Sequence, residues 1–459
     1  MSKKAGGRGL GCIRLLFVAA LLIAVAWPRL GWCHADDESN NGGTILRDTE
    51  IENDIRALGT PIWRVAGLDA ATMGIYIVDD AQLNSFVAGG QAIFLNSGLI
   101  ERAENPNMLI GVIAHETGHI AGGHILRALE AMKNASIETI IAEAIALGAS
   151  VAGGNAAPMI AAAGEGQRAY MSFSVGQEAT ADHAAMKFLD RSGQSARGML
   201  KFFEILQADQ PLGGEPLDPW ARTHPLTSER IDYVRHHVED SPYSNAADPP
   251  QFVTLLQQVQ LKLHAFLDDP SATLRAYPPS DRSPDARYAR AIAYYRIPQL
   301  DKAVPEIDGL IRDFPKNPYY DELKGQMLFE NGRIRDAIAP YEEAVKLEPD
   351  APLLRISLAQ TYIESGDPSL IKRAIAYLED ASLVEGREDL VWRLLAIAYG
   401  RDNQLGKAAL ALAEEALVDG KQKDAQQQAQ RAKQILPHGS SAYQRAEEIQ
   451  REAKDLDTD

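Results

Sequence analysis

His115-Glu116-Thr117-Gly118-His119 sets two imidazoles and a carboxylate side by side in the chain. Positions i and i+4 of an α-helix lie about 40° apart around its axis, so both imidazoles project from one face. They can hold two corners of a tetrahedral zinc. Glu116, next to the first ligand, then faces water on the metal as a general base. Met108-Leu-Ile-Gly-Val-Ile-Ala114 leads into the motif as an apolar run, which predicts a buried helix rather than two surface histidines. The chemistry is metal-assisted hydrolysis with one zinc per chain.

A catalytic zinc takes a third protein ligand and keeps one position open. Two candidates follow. His124 comes five residues after His119, whereas the three-histidine pattern sets its last histidine six residues on, after a glycine turn. On a continued helix His124 faces away from His115, although Gly122-Gly123 could break that helix. It reads as a supporting histidine. Glu178 is the better ligand, in the Ala-rich segment Gly176-Gln-Glu-Ala-Thr-Ala-Asp-His-Ala-Ala-Met-Lys-Phe-Leu189. That segment predicts a second helix on which Glu178 and Asp182 share one face. One carboxylate binds the metal. The other accepts a hydrogen bond from a ligating imidazole and so sets its tautomer.

An H-E-x-x-H followed by E-x-x-x-D resembles the gluzincin peptidases of the HtpX and CAAX-prenyl-protease clan. Ile45-Leu-Arg-Asp-Thr-Glu-Ile-Glu52 resembles the opening helix of the clan's periplasmic members. Leu83-Asn-Ser-Phe-Val-Ala-Gly-Gly-Gln-Ala-Ile-Phe-Leu-Asn-Ser-Gly-Leu99 resembles the strand segment before the metal helix. Thr223-His-Pro-Leu-Thr-Ser-Glu-Arg-Ile231 resembles the T-H-P-x-x-x-x-R element beyond the second helix. With the repeats described below, the chain is similar to the BepA-like group of periplasmic metallopeptidases. The family's arginine or tyrosine ahead of the E-x-x-x-D element is replaced by Phe173-Ser-Val-Gly176.

The resemblance implies that His224 approaches the metal and covers its open position in a latent state. It also implies that Arg230 supports the ligands from behind. Thr223 and Pro225 alone read as a helix entry before Leu226. The implied fold is mainly α: a gluzincin α+β peptidase domain with a small sheet, then an α-helical tetratricopeptide solenoid. A peptidase of this kind draws its substrate along a sheet edge, backbone to backbone. The β-prone Gln91-Ala-Ile-Phe-Leu95 is the expected edge.

The boundaries read as follows: signal peptide 1–35, linker 36–44, zinc metallopeptidase domain 45–240, linker and connecting helix 241–285, tetratricopeptide domain 286–455. Lys3, Lys4, Arg8 and Arg14 precede the apolar stretch Leu15–Trp27. That stretch is too short for a membrane span of about 20 residues and suits a secretory leader. Small residues at Cys33 and Ala35 favour cleavage before Asp36, which places the mature protein in the periplasm. Both cysteines, Cys12 and Cys33, fall in the leader, so the mature chain is expected to have no disulfides. Losing the leader's basic residues takes the net charge from −17 to −22. A chain that acidic argues against nucleic acid and against simple electrostatic binding to anionic lipid.

The second half repeats with a period of 34 residues, seen in Pro315 and Pro349, Pro318 and Pro352, Ala303 and Ala337, and Ala374 and Ala408. That is the tetratricopeptide period, two antiparallel helices per unit. Ala291, Gly325, Ala359 and Ala396 supply small residues where paired helices touch. The register slips at Gly366-Asp-Pro-Ser-Leu370, and Ala408 and Ala425 mark a half-step. Such a solenoid offers a concave surface for protein partners. Residues 140–163, rich in Ala, Ile and Gly, read as a flap over the cleft, as plain core or as a peripheral membrane contact, since Pro158 and three glycines interrupt any span.

Two functions remain. The first is a zinc endopeptidase for misfolded or stalled outer-membrane proteins, its repeats docking on the β-barrel assembly machinery, as the resemblance implies. The alternative is a chaperone or assembly scaffold with a largely latent peptidase site. The intact general base favours the enzyme.

Overall fold

A computed structural model describes residues 44–88, 90–124, 175–209 and 224–455. The leader, residues 36–43 of the linker, the 140–163 segment and Thr223 lie outside them. Among the described residues no helix is long and apolar enough to cross a membrane.

The first part is built on a four-stranded sheet of order β1-β2-β4-β3: β1 Thr44–Leu46, β2 Gly74–Asp79, β3 Ser85–Ala88 and β4 Ala92–Asn96. β1 and β3 are antiparallel to their neighbours, and β2 and β4 run parallel. Apolar residues fill both faces. Ile75, Ile77, Val87, Ile93 and Leu95 join the main core, while Tyr76, Phe94 and Phe86 stack on the opposite face at centroid spacings of 4.9 and 4.7 Å. The β-strand period of two assigns these sets to the two sides.

Two expectations need correction. Residues 44–46 pair with β2 as a strand, so the opening helix α1 (Thr49–Ala66) starts only after Asp48, whose side chain accepts from Ile51 N. The stretch 91–95 is interior, because β4 lies between β2 and β3. The sheet edge on the metal-helix side is β3. Strand propensity identifies a strand but not its neighbours, which are set by pairing.

The helices of this part are α2 (Ser97–Glu101), α3 (Pro106–Ala121), α4 (Val175–Ser192), α5 (Arg197–Ala208) and α6 (Ser228–Asp240). α3 carries the H-E-x-x-H motif. Asn105 caps it by accepting from Met108 N, Pro106 opens it, and it is buried from Pro106 through His119. α7 (Pro250–Leu267) and α8 (Pro270–Ala276) connect to the repeats.

The repeat helices pair as α9 (Pro284–Arg296) with α10 (Leu300–Asp313), α11 (Pro318–Glu330) with α12 (Ile334–Leu347), and α13 (Pro352–Glu364) with α14 (Ile371–Ser382). α15 (Asp389–Arg401) pairs with α16 (Leu405–Val418), and α17 (Gln422–Ile435) and α18 (Ser441–Asp455) complete the run. At Gly325 a Cβ would meet the Tyr341 ring at 2.8 Å, so the period keeps a small residue there for steric reasons. A 3₁₀ turn, Pro368–Leu370, absorbs the register slip.

The repeats close around the start of α1. Lys262 in α7 reaches Asp48 at 2.8 Å and Glu50 at 2.9 Å. Tyr288 in α9 donates to Glu50 at 2.6 Å, and Thr49 donates to Glu322 in α11. Arg47 donates to Glu52 at 2.8 Å and to Glu385 at 2.9 Å, and pairs with Glu388.

Candidate metal centre

Three helices and one loop supply the site. On α3 the i, i+4 spacing sets His115 and His119 together, with ring centroids 4.8 Å apart. α4 crosses α3 at Gly118, where a Cβ would meet Ala181 O at 2.6 Å and Ala181 Cα at 2.9 Å. That close approach brings Glu178, about one turn before Ala181, and Asp182, next to it, against the two imidazoles. His224 precedes α6 and lies beside them. His115, Glu116, His119, Glu178, Asp182, His224 and Arg230 are all buried.

His115, His119, Glu178 and His224 each present one ligand atom, all within 4.8 Å of one another. His119 Nε2 lies 3.1 Å from His115 Nε2 and 3.3 Å from Glu178 Oε1. His115 Nε2 lies 3.5 Å from Glu178 Oε2 and 3.4 Å from His224 Nδ1. Tetrahedral ligands about 2.0–2.1 Å from a common ion stand about 3.3 Å apart. The four groups therefore converge at the spacing one ion requires.

The far side of each imidazole is engaged as well. His115 Nδ1 donates to Asp182 Oδ1 at 2.9 Å, which leaves Nε2 to face the cluster. Arg230 holds that carboxylate in turn, donating to Oδ2 at 2.6 Å and Oδ1 at 2.9 Å, and its Nη1 lies 2.7 Å from Glu178 Oε2. His119 Nδ1 lies 3.1 Å from His124 Nδ1. α3 stops at Ala121, and Gly123 at φ 64° turns the chain so that His124 comes back behind His119 rather than into the ligand set.

Charge follows from this packing. Burial works against ionised Glu178, yet His224, His115 and His119 outweigh it and hold the carboxyl far below its ordinary range. Burial also disfavours a charged His115, but Asp182 and Glu178 raise it to about 9. His119 is pushed well below its ordinary value by burial. Asp182 stays depressed despite its burial, through His115 and Arg230.

The helix entry expected at Thr223 and Pro225 lies elsewhere. α6 begins at Ser228, capped by Thr227, which accepts from Arg230 N. The carbonyl of Pro225 accepts instead from Arg230 Nη1 at 2.9 Å, so the backbone at His224 is tied to the arginine and not to a helix.

One contact was absent from the sequence reading. Ser85, first residue of β3 and fully buried, donates from Oγ to Glu116 Oε1 at 2.7 Å. Its only signal was a place within the strand segment already singled out.

Residues 49–238 match the model of Peptidase family M48, and residues 328–398 match that of the tetratricopeptide repeat. The chain is 25% identical over 381 residues to the beta-barrel assembly-enhancing protease of Yersinia pestis, covering 80% of this chain and 77% of the relative. It is 24% identical over 379 residues to the protein of that name in Escherichia coli (strain K12), covering 81% and 76%. With Metalloprotease YcaL of Escherichia coli (strain K12) it shares 27% identity over 164 residues, covering 36% of this chain and 61% of the relative.

Proposed function

Since the chain is a metalloprotease, with an M48 peptidase domain at its front and tetratricopeptide repeats behind it, we propose that it is a zinc endopeptidase of the periplasm. Its substrates are misfolded or stalled outer-membrane proteins, and its repeats bind partners in their assembly, in keeping with the name its relatives carry. The observation that carries the reading is the convergence of His115, His119, Glu178 and His224, with Glu116 alongside.

His115 Nε2, His119 Nε2 and a Glu178 oxygen would hold zinc, a donor set that suits this ion. When bound, zinc acidifies water and polarises a carbonyl. Glu116 takes the proton of the attacking water and returns it to the leaving amine. Asp182 and Arg230 keep His115 in the tautomer that offers Nε2 to the metal. The outer edge of Ser85–Ala88 receives the substrate backbone as an added strand. Pairing of that kind reads the main chain, so side-chain preference is loose. His224, 3.1 Å from Glu178 Oε1, closes the resting site.

The test is metal content and casein cleavage by the mature chain beside Glu116→Gln. One zinc per chain in both, with cleavage lowered about 10²–10⁴-fold by the substitution, supports the reading. Equal cleavage by both overturns it. The position of His224 also favours a second reading, an assembly scaffold whose peptidase site is latent. Full rescue of barrel assembly by Glu116→Gln protein, with no cleavage by wild type, would establish that one.

A further inference from the structure

We propose that Ser85 is a positioning residue for the general base: its hydroxyl pins one oxygen of Glu116 and leaves the other to take the proton. The inference rests on the peptidase reading above and adds a residue to it.

Glu116 lies between two ligands on a fully packed helix and is itself buried. A carboxylate turns about its last torsion between broad, nearly equivalent orientations unless something holds it. Ser85 Oγ donates to Oε1 at 2.7 Å, the length of a charge-assisted bond. Oε2 is buried and makes no hydrogen bond among the described residues. A buried carboxylate oxygen without a donor is uncommon and costly. One oxygen is thus held and the other is kept for the reaction.

The place of Ser85 in the sheet adds the second half of the argument. Ser85 and Val87 point to the main-core side, toward α3, while Phe86 and Ala88 point to the opposite face. Among the described residues β3 pairs with β4 on one side only, Ser85 opposite Leu95, and ends the sheet on the other. An extended substrate pairing on that free edge would lie on the strand that also holds the base. One residue then sets the distance between Glu116 and the scissile bond. Alanine at position 85 would leave the strand and the ligands in place while releasing the carboxylate.

Two measurements on the full mature chain decide it. The first is difference infrared spectroscopy of the metal-free protein, wild type against Ser85→Ala, repeated in a Glu116→Gln background. A shifted carboxylate band that disappears in the Glu116→Gln pair establishes the bond. No shift overturns the inference. The second is steady-state cleavage of an unstructured peptide. Ser85→Ala should lower kcat about 10- to 100-fold with KM, zinc content and Tm unchanged, and should add nothing to Glu116→Gln. A kcat within twofold of wild type overturns it, and so does a loss confined to KM, which would assign Ser85 to strand pairing alone. A wild-type protein that binds zinc and cleaves nothing overturns the peptidase reading instead, and the infrared arm still decides the bond.

Discussion

His224 Nδ1 stands 3.1 Å from Glu178 Oε1, the same oxygen that His119 Nε2 approaches at 3.3 Å. A residue from the loop before α6 therefore lies against the groups that α3 and α4 bring together. Neutral imidazole competes well with water for zinc. His224→Ala should raise casein cleavage several-fold, roughly 3- to 10-fold if about 1 kcal/mol of closure is removed, with zinc content unchanged. A fall in cleavage would show instead that His224 acts on the reacting groups.

Arg230 is the one arginine or lysine among the described residues that pairs with both Asp182 and Glu178. Its removal would leave two buried carboxylates without that partner. Arg230→Ala should destabilise the metal-free protein by about 3–5 kcal/mol. Asp182→Asn, which keeps the shape but weakens the hold on His115, should lower zinc affinity about 10- to 100-fold. Thermal unfolding with and without a chelator measures both. Wild type should melt lower once chelated, because bound metal stabilises only the folded state. Unchanged affinity in Asp182→Asn would remove its part in orienting His115.

Gly118 puts helix propensity and packing in opposition. Propensity alone favours Gly118→Ala by about 1 kcal/mol. The Ala181 backbone, 2.6 Å from where the Cβ would stand, must shift to admit it. Overpacking costs about 1–3 kcal/mol, and moving α4 carries Glu178 away from the imidazoles. Gly118→Ala should therefore lower Tm and cut cleavage about 10²-fold. A raised Tm with full activity would mean that the crossing of α3 and α4 is looser than described.

The polar junction between α1 and the repeats should respond to pH. Burial raises Asp54 to about 8, with Glu50 adding, and burial raises Glu322 to about 8 and Glu52 to about 7. Asp54 Oδ2 makes no hydrogen bond among the described residues. These values lie above an ordinary carboxyl at about 4, so the folded state holds protons that the unfolded chain has released. The stability they contribute is complete below about pH 4 and is lost as pH rises through about 8. Asp54→Asn should make the urea midpoint less dependent on pH between 6 and 9, and add about 1–3 kcal/mol at pH 9. Parallel pH profiles for the two proteins would refute the assignment.

Features that depend on neighbours in the chain could be read from residues alone. His115, Glu116 and His119 follow from helix geometry, as does the shared face of Glu178 and Asp182. The tetratricopeptide period repeats small residues where helices touch, and the Gly325–Tyr341 contact shows why. The glycine pair after His119 was readable as a break, but not the direction of the turn that sets His124 behind His119.

Residue pattern alone was enough for the motif, the ligand helices and the repeat, because each is local periodicity. Strand order, the free edge at Ser85–Ala88, the Ser85–Glu116 bond and the closure of the repeats on Arg47 required the tertiary fold. Ser85 and Glu116 are 31 residues apart, and Arg47 and Glu385 are 338 apart. No propensity links positions so distant. They meet because packing buries these polar groups together, and a buried polar group without a partner is costly.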